Sequence, residues 1–75
     1  MIEVMLESGK LYKAKDKNDL VSILANEMDE SIEDYMKGVA HRCKIWDGSD
    51  IKYNNTEEFV NELIRVGVIK NIYEI

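Results

Sequence analysis

The segment from Asn54 to Ile69 constrains the fold more than any other part of the chain, because a helix start, an apolar face, a stop and a following strand occur there in register. Asn55 is a favoured N-cap, and Glu58 lies three residues on, where its carboxylate can reach back to the cap's backbone N–H. Glu57 and Glu58 make the first turn acidic, which suits the positive end of a helix dipole. Phe59, Leu63 and Val66 line one side, with Val60 and Ile64 beside them. Gly67 then supplies a left-handed residue to satisfy the last carbonyls, and Leu63 and Val68 occupy the two positions that touch across such a stop.

The rest of the chain is expected to pack on this helix as one domain, residues 1–75, without linker, repeat or low-complexity tract and without a single proline. A chain of 75 residues buries only about 60–65% of its surface, so it needs support beyond its own core. Cys43 is the only cysteine and His41 the only histidine, which leaves neither an intramolecular disulfide nor a Cys/His zinc set. Self-association is the remaining support, and a homo-oligomer is expected.

Charged residues at 33% and apolar ones at 45% describe a folded, soluble chain. No apolar run approaches the roughly 20 residues that span a bilayer. The first charged residue is the acidic Glu3, where a signal peptide has a basic n-region, so no membrane association and a reducing cytoplasm are expected. A net charge of -5 argues against general nucleic-acid binding, whose affinity comes from neutralising phosphates.

At the N-terminus, Ile2 to Glu7 is β-compatible, Ser8-Gly9 turns the chain, and Leu11 to Ala14 returns beside it as a hairpin. Ile2, Val4 and Leu6 share one face, which places Met5 on the more polar side. Asp16 caps a first helix whose apolar positions Leu20, Val21, Ile23, Leu24 and Met28 carry it to about Met28. Ser31 with Asp34 is a second capping-box pattern, followed by the stripe Ile32, Tyr35, Met36, Val39, Ala40, Cys43. That helix is expected to run to about Lys44, although Val39 to Trp46 also alternates as a strand would, ahead of the turn at Asp47-Gly48. Val68 to Ile75, with Val68, Ile72 and Tyr73, suits a last strand joining the hairpin. The fold expected is α+β: an N-terminal β-hairpin, three short helices and a C-terminal strand completing a small antiparallel sheet.

The residues that carry chemistry are few. His41-Arg42-Cys43 juxtaposes a base, a cation and a thiol, but two residues apart on a helix they point different ways. Cys43 belongs to the apolar stripe and reads as core. Glu27, Asp29, Glu30, Glu33 and Asp34 place five carboxylates in eight residues. This is either a solvated helix junction or a recognition patch for a basic partner; the spacing is not that of a calcium loop. Lys10, Lys13, Lys15 and Lys17 form a basic edge that guards a strand. Lys37, His41 and Lys44 form a second basic face near the end of the second helix, where cations suit the helix dipole. Trp46, near the turn, either folds back on the helices or anchors a partner, and Asp47, Asp50 and Tyr53 follow it. No catalytic set, metal site or cofactor loop is expected, so the chain is not expected to be an enzyme.

With its short length, its Lys, Glu, Asn and Ile content, its lack of proline and the block Glu58-Phe59-Val60-Asn61-Glu62-Leu63-Ile64-Arg65-Val66-Gly67-Val68-Ile69, the chain resembles small accessory proteins of phages and prophages of low-GC bacteria. The resemblance implies a protein that binds and blocks a host factor, defence nucleases among them. The expected function is accordingly binding of a host or phage protein through Glu27–Asp34 and Trp46–Tyr53. The alternatives are a nucleic-acid-binding regulator using Lys37, His41, Arg42 and Lys44, and a structural phage component.

Overall fold

In a computed structural model that describes all residues 1–75, the chain is α+β. The order is β1 (Ile2–Leu6), β2 (Leu11–Ala14), α1 (Lys17–Glu27), α2 (Ile32–Asp47), α3 (Thr56–Val66) and β3 (Ile69–Glu74). The strands form one antiparallel sheet in the order β2-β1-β3. β1 is therefore the centre, with Val4 opposite Tyr12 on one side and Ile72 on the other.

One face of the sheet carries the helices. Ile2, Val4 and Ala14 point into a core shared with Leu20, Val21, Phe59, Val60 and Leu63, all of them buried. α1 packs on β2 and α3 on β3, so these two helices roof the sheet, while α2 lies against α1. Each buried aliphatic or aromatic side chain stabilises by about 1.5–3 kcal/mol, so the seven fully buried large side chains dominate the favourable side of folding. The opposite face presents Glu3, Met5, Leu11, Lys13, Asn71 and Tyr73 and is uncovered.

Three details depart from the sequence reading. The last strand begins at Ile69, which is fully buried, and Val68 lies before it and is only half-buried. Met5 pairs with Asn71 but Leu6 pairs with Ile69, so Lys70 is an extra residue, a β-bulge. The bulge resets the two-residue period and lets Ile69 and Ile72 face the same core from positions three apart.

Secondly, α2 does not end near Lys44; residues 39–46 are helical and the helix continues to Asp47. Gly48 terminates it at φ 75°, donating its N–H to Lys44 O at 3.0 Å. The Asp-Gly pair that resembles a hairpin turn is here a helix stop of the same kind as Gly67, which sits at φ 89° after α3.

Thirdly, Glu58 does not reach the N–H of its own cap. Asn55 Oδ1 accepts the Glu58 N–H at 2.8 Å, and Glu58 Oε1 accepts instead the backbone N–H of Asn54 at 3.2 Å and its side-chain amide at 2.9 Å. α1 repeats the arrangement, with Asp16 Oδ1 accepting the Asp19 N–H and Asp19 Oδ2 the Lys15 N–H. In both helices the third-residue carboxylate ties down the residue before the cap, which fixes how the chain enters the helix.

Candidate functional site

α2 is the element that organises the polar and aromatic surface. Its core stripe, Met36, Val39 and Cys43, faces the rest of the molecule, and a cleft opens along each side of it.

The first cleft lies between α2 and the irregular segment that follows it. Asp34, Lys37, His41 and Lys44 line it from the helix, at spacings of three and four residues that put them on one side. Asp50 and Tyr53 line it from the opposite wall. The wall is held by α3. Ile51 is buried, Arg65 Nη2 donates to Asp50 O at 2.9 Å, and Glu62 Oε1 accepts the Lys52 N–H at 3.2 Å. Arg65 Nε donates to Glu62 Oε2 at 2.7 Å, and this bond, with the Lys52 N–H, holds the Glu62 carboxyl below its usual range. The Glu62–Arg65 clasp was not apparent in the sequence, where it is one (i, i+3) charge pair among several on a helix.

The second cleft, about 450 Å³, lies on the other side of α2 and is mostly apolar. Leu24, Tyr35, Val39 and Cys43 line it from the helices, and Val68 closes it near the sheet. Burial, followed by the nearby Asp47 carboxylate, pushes the Cys43 thiol up, which disfavours the thiolate a nucleophile requires. Arg42 borders this cleft, not the one that holds Lys37, His41 and Lys44. His41 and Cys43 thus open onto different clefts.

Trp46 stands at the rim of the apolar cleft and is 77% exposed. Of the two readings open to it, folding back over the helices is the one the structure rejects. The cause is the length of α2: three residues beyond Lys44 carry Ile45 and Trp46 past the end of the core, and Ile45 is 66% exposed. Asp47 beside them is engaged locally, its Oδ1 accepting the Ser49 N–H at 2.9 Å, and the Ser49 hydroxyl and N–H hold its carboxyl below the usual range.

The five clustered carboxylates do not act as one group. Glu27 Oε1 accepts the Tyr12 hydroxyl at 2.8 Å and ties β2 to α1. Asp29 takes the left-handed conformation at φ 56°, which an Asp tolerates better than most residues, and so makes the corner between α1 and α2. Glu33 and Asp34 occupy the first turn of α2, where Ser31 Oγ accepts the Asp34 N–H at 3.2 Å, and Glu30 is half-buried before it. This group and Trp46 occupy opposite ends of a 16-residue helix, roughly 20 Å apart at 1.5 Å per residue. The two patches expected from the sequence are thus split differently: Trp46 stands apart from the acidic group, while Asp34 shares the first cleft with Asp50 and Tyr53.

The mixed first cleft has a chemical consequence. Its three basic groups face Asp34 and Asp50, so a phosphate entering it meets two carboxylates as well. No three His, Cys, Asp or Glu side chains converge so as to hold a metal ion, and no helix is long and apolar enough to cross a membrane. Compared with known proteins, the chain matches no family model, no curated relative and no solved structure.

Proposed function

We propose that this chain is a small acidic interaction protein of phage type, which binds a host or phage protein and modulates or inhibits it without performing chemistry. The observation that carries the reading is Trp46, 77% exposed at the end of α2 beside an open apolar cleft. A domain this small has few large apolar groups, and placing its only tryptophan in water forgoes about 1.5–3 kcal/mol of burial. Tryptophan is over-represented among the residues that dominate binding energy at protein interfaces, where an apolar anchor meets a neighbouring recess. Ile45 and the cleft supply that setting.

The partner is a protein with a basic face. A net charge of -5, concentrated in part on Glu30, Glu33 and Asp34, draws such a surface in by long-range attraction. A nuclease that holds nucleic acid presents a face of this kind, so a defence nuclease is a fitting target. Steering plus an aromatic anchor suffices.

The test is affinity capture from host lysate by the tagged protein, set against Trp46→Ala and against the combination Glu30→Gln, Glu33→Gln and Asp34→Asn. The partner retained by the wild type is expected to be lost with Trp46→Ala. With the neutralised variant it is expected to bind more slowly and with a weaker salt dependence. Equal recovery of every protein by wild type and Trp46→Ala overturns the reading.

A further inference from the structure

We infer that the free edge of β3 is a self-association surface, on which a second copy of the chain pairs antiparallel to extend the sheet to six strands. The edge is identified by the ladder. Ile75 N–H donates to Met1 O at 2.9 Å, and the β1–β3 register places Glu3 opposite Tyr73 and Met5 opposite Asn71. In an antiparallel pair hydrogen-bonded positions alternate, so Asn71 and Tyr73 direct their backbone groups to β1 while Ile72 and Glu74 direct theirs outward. No strand lies beside them.

Charge selects both the occupant and the register. Lys70 and Glu74 stand at the two ends of the exposed edge, equally spaced about Ile72. A two-fold axis through Ile72 pairs Ile72 with its own copy through outward-facing backbone groups. It sets Lys70 against Glu74 of the second copy, twice over. Opposite charges directly across a strand pair are favourable, and a two-fold contact must be self-complementary in this way. The bulge at Lys70 stops the ladder from running on towards Val68, which keeps Ile72 at the centre. Tyr73, half exposed on the outer face, then lies opposite Asn71 of the second copy and is partly covered.

The other edge behaves oppositely. β2 has Lys13 within it and Lys10 and Lys15 at its ends, so pairing with its own copy brings lysines against lysines. One edge is guarded and one is complementary. This limits growth at a dimer, with the sheet order β2-β1-β3 mirrored across the axis and no route to a fibre.

Sedimentation equilibrium from micromolar to millimolar protein tests the proposal. The wild type is expected to approach twice the 8.7 kDa of one chain, and more weakly at high salt. Lys70→Glu and Glu74→Lys, each at an exposed position and checked for folding by circular dichroism, are each expected to weaken association about tenfold or more. The double exchange restores it, and so does mixing the two single variants, because each then meets its opposite. A wild type that stays monomeric overturns the inference. So does a dimer indifferent to both reversals, or one broken instead by Leu11→Lys, which places the contact on the outer sheet face.

Discussion

α3 and the last turn of α2 both end on a left-handed glycine, yet one of them lies wholly on the core and the other runs past it. In α3 the apolar stripe Phe59, Val60, Leu63 is buried from the first turn to the last. In α2 the buried stripe stops at Cys43, and the helix continues with Ile45 and Trp46 in water. The same stop signal serves two purposes. It closes one helix where the core ends and holds the other open beyond it, so large apolar side chains alone do not tell which helix end is structural.

The difference is sharpest in energetic terms. Phe59→Ala removes a fully buried ring that meets Tyr35 edge-on at 6.2 Å, and it is expected to cost about 3–5 kcal/mol in chemical denaturation. That is a large share of the roughly 5–15 kcal/mol that holds a small domain together, so the variant should unfold at much lower denaturant. Asn55→Ala, which removes the cap of the same helix, is expected to cost about 1 kcal/mol by the same measurement. Trp46→Ala should lie within about 0.5 kcal/mol of wild type. A loss comparable to that of the Asn55 variant would break the comparison, since Trp46 would then belong to the core.

A smaller effect sharpens the boundary within α2 itself. Cys43 and Trp46 are three residues apart, one buried and one exposed. The Cys43 thiol is expected to resist a thiol reagent until the chain is unfolded, while Trp46 fluorescence is quenched by a soluble quencher nearly as well in the folded protein as in denaturant. The smallest effect is in pH. The hydrogen bond to Glu27, with some burial, pushes the Tyr12 hydroxyl up to about 12 from its ordinary 10.0. The folded state thus favours the protonated phenol. The contribution of this contact is complete below pH 10.0 and disappears as pH rises towards about 12. Tyr12→Phe removes the contribution at neutral pH and, with it, the fall in stability between pH 10.0 and about 12, and ultraviolet titration would show the late-titrating phenol gone.

What was legible in the sequence follows the same division. The caps Asp16, Ser31 and Asn55, the stop at Gly67 and the order of the six elements depend on residues a few positions apart, and each appears where its local chemistry directs. The burial of Ile69 is hidden in the sequence because a bulge breaks the alternation that marks a strand, and a bulge becomes apparent only when the partner strand is in place. The site was less legible. The separation of Trp46 from the acidic group depends on the length of α2, and the turning of Arg42 away from Lys37, His41 and Lys44 depends on which side of that helix the core occupies.

The clasp that α3 places on the segment after α2 bears on motion. Between Gly48 and Asn55 the chain has no regular structure, yet Ile51 is buried and the backbone on both sides of it is bonded to Arg65 and Glu62. A connection fastened in its middle is restrained as a hinge, which holds the wall of the first cleft against α3. For the proposed partner, a wall restrained in this way would lower the ordering cost of binding there. The Lys52 amide is expected to exchange with solvent slowly for a residue outside any helix or strand.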